Sequence, residues 1–417
     1  MTVQSFRPIS AVPLDLSAVR DQIAGTALQN GTVGRVGLEL EAHLVDLTEP
    51  ARRVPWQRIC DLLAALPDLP GRSRVTVEPG GQVELSGVVQ DGPAQAIAVL
   101  RRDEAALRQE LRRRGLGLAT LGADPSRPPR RVNPGRRYVA MERHFTDTGQ
   151  AAAGRAMMCS TAALQVNLDA GPAAGWCDRI ALAQRLGPVL VALSACSPLL
   201  AGARTGWRSS RQRVWAALDD HRRPEVGARR PEEAWADYAL EAPIMMIHNG
   251  HHEDYDAIRS RVPMRSWADG TTLLADRRPT KSDVEYHLTT LFPPIRLRGY
   301  LEIRCLDAMP DRWWPALAAV TCLLMDDPVA ADAAAAAVEP VAGRWQLAAQ
   351  FGVSDPVVRK AALQCLAAAA SVAPAELKSD IERYAEIVAA GRTPADDLLE
   401  RARIAGPLAV LEEAAHA

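Results

Sequence analysis

The chain has 417 residues, 48% of them hydrophobic, and a formal net charge of −1. This length suffices for one large domain or two ordinary ones with a substantial core, and the near-neutral charge gives no sign of a nucleic-acid or membrane-surface partner. All basic residues except Lys281, Lys360 and Lys378 are arginines. Any phosphate or carboxylate site must therefore rely mainly on planar, bidentate guanidinium groups.

The cysteine pattern and the chain's apolar runs predict a cellular location. Seven cysteines are scattered without a C-x-x-C pair, which favours reduced thiols over a disulfide or metal framework. Residues 1–10 lack the basic and apolar regions of a secretory signal, and the most apolar run, 189–201, is too short to cross a bilayer. We therefore expect a soluble, cytoplasmic protein with no membrane or nucleic-acid partner.

The first 115 residues mix helices and strands. Turn dipeptides and apolar spacing give the element boundaries, and Gly115 marks the end of the last helix. In chain order the predicted elements are a helix at 14–29, a strand around 39, a helix near 56–66, two strands joined by Pro79-Gly80-Gly81 within 76–86, and a helix at 93–114.

The rest of the chain changes from irregular to helical. Segments rich in arginine, at 124–135 and 203–213, predict loops. The later predicted elements are an apolar helix at 176–200 interrupted at Gly187-Pro188, a strand at 243–247, a surface loop at 249–254, a strand at 300–304, and alanine-rich helices from 312 onward.

The order of elements predicts the fold class and excludes two nucleotide-binding motifs. Strands and helices do not alternate as regular βαβ units, so the α+β class with a mainly antiparallel sheet is favoured. No G-x-G-x-x-G follows a strand, and Lys281-Ser282 lacks the glycine loop of a Walker A motif. If the protein uses ATP, metal ions and arginines must hold its phosphates.

Polar side chains recur within four strand-like segments, most of them two residues apart. On a strand, residues i and i+2 point to the same face, so the alternating apolar residues pack behind them. The polar residues are Glu39 and Glu41, Glu78 and Glu84, Gln165 and Asn167, and Glu302 and Arg304. One such pair is ordinary for an exposed amphipathic strand, but four together favour a single polar face of a sheet.

Five carboxylates on one face would repel each other and raise their pKa values unless a cation is present. Mg²⁺ suits this need, since it takes oxygen ligands and keeps waters and substrate phosphates in its shell. Gln165 and Asn167 add neutral oxygens, and Arg304 is placed to neutralise charge on a transferring phosphoryl group.

Longer segments around these residues carry a family resemblance. They are residues 78–87 (EPGGQVELSG), 165–169 (QVNLD), 237–240 (DYAL), 287–293 (HLTTLFP) and 300–304 (YLEIR). In order and content they resemble the plant-type glutamate–cysteine ligases, and most closely the actinobacterial members of ergothioneine biosynthesis. The resemblance runs from about residue 34 to 327. It leaves the helical end of the chain unmatched.

The resemblance implies a fold and a reaction. The fold is of the glutamine-synthetase and carboxylate–amine-ligase type, with a curved antiparallel sheet around the active site. The reaction joins L-glutamate through its γ-carboxylate to L-cysteine, using ATP and two or three Mg²⁺ ions. We accordingly expect a catalytic domain at 1–327 and an alanine-rich helical segment at 328–417 packed on the same domain.

The resemblance also implies roles for individual residues. The metal carboxylates are Glu39, Glu41, Glu78, Glu84 and Glu302. Glu302 and Arg304 form the catalytic pair, and Arg304 faces the γ-phosphate. The expected ATP and substrate contacts are Gln165, Asn167, Arg211, Arg137, Tyr138 and Arg298. Of these, Arg211 lies in a segment, 209–215, that matches the family's S-x-R-x-x-[IV]-W only loosely.

Three alternatives stay open on the residues alone. A γ-glutamyl ligase for another amine would use the same metal and ATP chemistry. A metallohydrolase could use the same carboxylates without ATP. A non-catalytic binding protein with this fold is disfavoured, because it would have no reason to keep five mutually repelling carboxylates.

Overall fold

The centre of the molecule is an eight-stranded sheet in which every pairing is antiparallel. The computed structural model of the chain describes residues 12–218, 227, 229–248 and 255–417. The loop predicted at 249–254 lies outside the described residues. The antiparallel sheet with its surrounding helices confirms the predicted α+β class.

Strand β1 is the organising element of this sheet. The strands are β1 (Arg35–Asp46), β2 (Arg74–Val77), β3 (Gln82–Ser86), β4 (Gln90–Asp91), β5 (Leu116–Ala119), β6 (Ala163–Asp169), β7 (Leu199–Leu200), β8 (Ala203–Arg204), β9 (Met246–His248), β10 (Tyr255–Ala257), β11 (Ile295–Leu297) and β12 (Tyr300–Asp307). The order is β11-β12-β6-β1-β3-β2, with β4 and β5 pairing with opposite ends of β1. Separate two-stranded sheets join β7 to β8 and β9 to β10.

Helices surround the sheet and form the carboxyl-terminal part of the chain. They are α1 (Leu16–Ala27), α2 (Trp56–Ala64), α3 (Pro93–Arg112), α4 (Arg136–Asp147), α5 (Ala151–Ser160), α6 (Trp176–Ser194), α7 (Ser210–Ala216), α8 (Pro231–Glu241), α9 (Met264–Ala268), α10 (Lys281–Leu288), α11 (Trp314–Asp326), α12 (Pro328–Val338), α13 (Trp345–Phe351), α14 (Pro356–Val372), α15 (Ala375–Ala389) and α16 (Pro394–His416). None of the described helices has the length and apolar composition needed to cross a membrane.

Alternation along β1 separates the core from the polar face. Val36, Leu38 and Leu40 are almost completely buried, while Glu39 and Glu41 point to the other side of the strand. The main hydrophobic core lies behind the sheet and includes residues of α3, α6, α11 and α14. The sheet therefore presents one apolar face to helices and one polar face to the cavity described below.

The helix predicted to break at Gly187-Pro188 is continuous, so that prediction is wrong. Helix α6 runs through both residues and ends at Ser194. Gly187 is needed because a Cβ at this position would collide with the indole ring of Trp345 on α13. The glycine thus marks a close helix–helix approach, and it does not end the helix.

The loop predicted at 203–213 is also partly wrong, because α7 begins inside it at Ser210. The hydroxyl of Ser209 accepts a hydrogen bond from the main-chain N–H of Gln212 and so caps the helix. This cap places Arg211 in the first turn of a helix.

Candidate active site

The strand register brings the predicted polar residues side by side. Glu41 lies directly across from Glu84 on β3, and Glu39 lies across from Gln165 on β6. On the other side of β6, Asn167 lies opposite Glu302 of β12. Four neighbouring strands, β3, β1, β6 and β12, thus form one polar surface.

This surface is the floor of a cavity of about 450 Å³, which we call the carboxylate cavity. Five glutamates and five arginines are among its lining residues. They are Glu39, Glu41, Glu78, Glu84, Glu302, Arg74, Arg137, Arg296, Arg298 and Arg304. Gln165 and Tyr138 also line it. Of the predicted site residues, only Asn167 and Arg211 lie outside this lining.

Glu39 and Glu41 are held by amide donors from β6. The side-chain amide of Asn167 donates to Glu39 (3.0 Å), and that of Gln165 donates to Glu41 (3.1 Å). The main-chain N–H of Ala163 also donates to Glu41 (2.9 Å). Burial, together with the charge of Glu84, raises the pKa of Glu39 to about 7 and also raises that of Glu41.

Glu78 and Glu84 lie on either side of the predicted turn between β2 and β3. Glu84 accepts hydrogen bonds from the hydroxyls of Thr76 (2.8 Å) and Ser86 (3.1 Å). Burial and the charges of Glu84 and Glu41 raise the pKa of Glu78. The raised pKa values expected from the sequence are therefore found for Glu39, Glu41 and Glu78.

Glu302 differs from the other four because arginines surround it. Arg296 on β11, directly opposite in the sheet, donates to both of its carboxylate oxygens. Arg304 lies 3.1 Å from it and the half-exposed Arg298 lies 3.5 Å away. Burial alone would raise the pKa of Glu302, but the charges of Arg304 and Arg296 outweigh burial and lower the pKa to about 2.

Arg304 lies between the carboxylate cavity and a neighbouring cavity of about 640 Å³, and lines both. Its guanidinium donates to the side-chain oxygen of Gln165 (2.5 Å). Arg211 lines the neighbouring cavity and donates to the main-chain oxygen of Arg304 (2.7 Å). The buried Nη1 of Arg211 has no hydrogen-bond partner among the described residues. Arg211 therefore lies next to the carboxylate cavity but lines the neighbouring cavity.

Arg137 and Tyr138 lie in the first turn of α4, at the edge of the carboxylate cavity. Arg137 donates to the hydroxyl of Thr289 (3.0 Å) and its guanidinium lies 4.8 Å from the ring centre of Tyr286. Burial and the charge of Glu78 raise the pKa of Tyr138. Both residues thus line the edge of the carboxylate cavity, and their substrate contacts stay a prediction.

The donor chemistry of the cavity fits a hard divalent cation. Five carboxylates line the cavity, and the buried side-chain oxygen of Gln82, also in the lining, lacks a hydrogen-bond partner in the described part of the chain. Oxygen donors of this kind suit Mg²⁺. Across the described ranges, however, no three or more His, Cys, Asp or Glu side chains are grouped closely enough to hold an ion. The fit therefore lies in the chemical kind of the donors, and the described side chains do not converge on one point.

Arg296 is a site residue that sequence reasoning did not select. It precedes Arg298 by two residues, and this spacing fits either a residue of the site or one on the outer side of a strand. The tight connection between β11 and β12 places it opposite Glu302. The signal was present as an R-x-R sequence just before the Glu302 strand, but only the hairpin register shows which side it faces.

Comparison with known proteins gives a family match over most of the chain. The sequence model of the family described as "Glutamate-cysteine ligase family 2 (GCS2)" matches residues 35–414. Two mycobacterial proteins named "Glutamate–cysteine ligase EgtA" are 50% identical to this chain. That of Mycolicibacterium smegmatis aligns over 97% of this chain and 96% of its own length, and that of Mycobacterium tuberculosis H37Rv over 95% and 92%. The chloroplastic glutamate–cysteine ligase of Brassica juncea is 30% identical over 67% of this chain and 55% of its own length.

A solved structure shares the fold. The glutamate–cysteine ligase of Francisella tularensis, solved in complex with AMP, aligns with a TM-score of 0.54 over 93% of this chain and 88% of that one. Their sequence identity is 13%, so the similarity concerns the fold alone. It confirms the predicted carboxylate–amine-ligase type of architecture.

Proposed function

The chain belongs to glutamate-cysteine ligase family 2, and on that premise we propose that it joins the γ-carboxylate of L-glutamate to the amine of L-cysteine, using ATP and Mg²⁺. The observation that carries the proposal is the carboxylate cavity, where five glutamates face five arginines. Such a site suits a reaction in which a cation and guanidinium groups must hold a polyphosphate beside a carboxylate. The proposed product is γ-glutamylcysteine, a small molecule made from small-molecule substrates.

The proposed reaction has two steps. An oxygen of the glutamate γ-carboxylate attacks the γ-phosphorus of ATP, forming γ-glutamyl phosphate and releasing ADP. The cysteine amine then attacks the acyl carbon, the bond to phosphate breaks, and the nitrogen loses a proton. Positioning of the three substrates and neutralisation of charge supply most of the rate enhancement.

Residues of the cavity have distinct proposed roles. Glu39, Glu41, Glu78 and Glu84 would hold Mg²⁺, which when bound neutralises charge on the phosphates. Glu302, also proposed as a metal carboxylate, fixes the position of Arg304, since the two side chains are 3.1 Å apart. Arg304 then stabilises charge on the transferring phosphoryl group.

Substrate binding is assigned to the surrounding polar groups. Arg211 has an unpartnered Nη1 beside Arg304, which suits a substrate carboxylate or phosphate. Arg137, Tyr138 and Arg298 are proposed contacts at the edge of the cavity. Gln165 and Asn167 are also proposed ATP or substrate contacts, and their amides donate to Glu41 and Glu39. A role in ergothioneine biosynthesis is part of the proposal. It is supported by the family resemblance and by the extent of similarity to the mycobacterial EgtA ligases.

The test is ADP release by the purified protein with Mg²⁺, ATP and L-glutamate, with and without L-cysteine, and with products identified by mass spectrometry. We expect ADP that depends on cysteine, and a product with the mass of γ-glutamylcysteine. ADP release that depends on another amine would support ligase activity but show that the acceptor is not cysteine. Absence of ADP under all combinations, from folded protein, would contradict the proposal and favour a hydrolase or a binding protein.

A further inference from the structure

A third cavity, of about 550 Å³, shares no lining residue with the carboxylate cavity or with the neighbouring cavity beside Arg304. We call it the arginine cavity, because its lining contains five arginines and only two carboxylates, Asp46 and Glu49. The arginines are Arg52, Arg53, Arg58, Arg127 and Arg130. Neither the sequence motifs nor the proposed ligase reaction gives this space a function.

Buried charge at the base of this cavity is only partly neutralised. The side chains of Arg53 and Arg127 are 5% and 2% exposed, and both pair with the same fully buried carboxylate, that of Asp124 (3.4 and 2.8 Å). Burial lowers the pKa of Arg53, and the neighbouring charge of Arg127 adds to this lowering. Two buried cations that share one anion leave an excess of positive charge. The main-chain oxygens of Gly80, Pro128 and Leu44 and the hydroxyl of Ser160 accept their other hydrogen bonds, and a further anion would neutralise the remaining charge.

The rim of the arginine cavity adds further positive groups, and two of them, Arg52 and Arg130, are exposed. Arg52 pairs with Glu49, but both side chains are mostly exposed, at 77% and 56%. An ion pair of this kind contributes little and is easily exchanged. Arg130 is exposed as well, and Arg58 lies beside Asp46.

The amino-terminal end of α2 also meets this cavity. Pro55, the residue that precedes the helix, lines the space, and no side chain caps the helix there. An uncapped helix start presents main-chain N–H groups and the positive end of the helix dipole, which favour a phosphate group. The helix start and the arginine side chains therefore favour the same kind of ligand.

We propose that the arginine cavity binds a small phosphate-bearing anion. Guanidinium groups match phosphate oxygens with paired hydrogen bonds, and the anion would neutralise the excess charge around Arg53 and Arg127. The arginine cavity is also structurally connected to the carboxylate cavity. Arg53 donates to the main-chain oxygen of Gly80 (3.1 Å), two residues after Glu78.

Pyrophosphate is the probe for this site, titrated calorimetrically into the full-length protein without metal or substrates. The test variant is Arg52→Ala/Arg130→Ala, which removes two exposed side chains and leaves the buried pair intact. The matched control, Arg102→Ala/Arg383→Ala, removes the same charge from exposed positions on α3 and α15. We expect saturable binding to the native protein and the control, and at least tenfold weaker binding to the test variant.

Three outcomes would overturn the proposal. Equal affinity in the test and control variants would show that the arginine cavity is not the site. Loss of binding in Arg304→Lys, with full binding in the test variant, would place pyrophosphate in the carboxylate cavity instead. Citrate bound as tightly as pyrophosphate would exclude the preference for phosphate. None of these measurements requires ligase activity, so the result is independent of the proposed function.

Discussion

At the residue scale, Arg304 interacts electrostatically with several glutamates of the carboxylate cavity. Burial would lower its pKa, but the charges of Glu302, Glu39 and Glu41 outweigh burial and raise it. Its guanidinium contacts both Gln165 and Glu302. Because a lysine has a single charged nitrogen, it does not reproduce both contacts together with a third contact to a phosphate.

We predict that Arg304→Lys lowers kcat about 100-fold or more with little change in the folding midpoint. The measurement is steady-state ADP release together with thermal unfolding. The matched control is Arg35→Lys, at the start of β1, where the side chain is 66% exposed and pairs with Asp169. Equal activity of both variants would exclude a role for Arg304 in the chemical step.

Residue identities at the site were largely predictable from spacing. Glu39 with Glu41, and Gln165 with Asn167, follow from strand alternation, which needs no knowledge of the partners of a strand. Arg296 did not follow, because its contact with Glu302 depends on hairpin register. The displacement of Arg211 into the adjoining cavity likewise depends on the helix cap at Ser209, which ends the loop that the arginine-rich sequence suggested.

At the element scale, the turn between β2 and β3 controls the placement of Glu78. Gly80 in this turn packs against the main chain of Cys159 at the end of α5, and a Cβ at Gly80 would collide with it. Arg53 and the N–H groups of Val132 and Asn133 hold the same turn through the carbonyls of Gly80 and Pro79. The turn is therefore fixed by contacts on several sides.

We predict that Gly80→Ala destabilises the protein by roughly 2–4 kcal/mol, since an overpacked methyl must push main-chain atoms apart. It should also lower activity by moving Glu78. The control is Gly25→Ala in α1, where a Cβ meets nothing within 4 Å. That change should raise stability by up to about 1 kcal/mol, since alanine is the better helix former. Denaturant unfolding measures both, and equal effects would contradict this account of the turn.

At the scale of the whole molecule, the carboxyl-terminal helices are packed into the main core. Trp345 on α13 contacts Gly187 of α6, and the hydroxyl of Tyr384 on α15 donates to the main-chain oxygen of Leu193. We propose that residues 328–417 and residues 1–327 form a single domain. A single calorimetric unfolding transition is expected, and two separated transitions would contradict it.

Global stability should depend on pH through the carboxylate cavity. In the metal-free protein, burial and neighbouring charge raise the pKa of Glu39 from 4.5 to about 7. A group whose pKa is higher in the folded state stabilises the fold below its unfolded pKa and loses that contribution as pH rises through the folded value. We therefore predict that the free energy of unfolding falls between pH 4.5 and 7, by up to about 3 kcal/mol from Glu39.

Unfolding in EDTA across this pH range checks the prediction. Glu39→Gln should flatten the dependence, while Glu285→Gln, at an exposed position of α10, should not. Added Mg²⁺ should restore stability more at pH 8 than at pH 5.5, because the cation competes with protons for the carboxylates. Buried His43, whose pKa burial lowers to about 4, contributes with the opposite sign in this range. The comparison with Glu39→Gln cancels that contribution, so equal pH dependence in the native protein and Glu39→Gln would contradict the repulsion inferred for this cavity.

The sequence by itself determined the family, which the match over residues 35–414 confirms, and also the fold class and most of the polar residues of the site. These features can be read from local sequence, because motifs, strand alternation and turn residues each involve only a few neighbouring positions. Only the tertiary structure decided that Arg296 binds Glu302, that Trp345 packs against Gly187, and that five arginines between 52 and 130 line the arginine cavity. Those features join residues whose contact depends on register and packing, which no local pattern encodes.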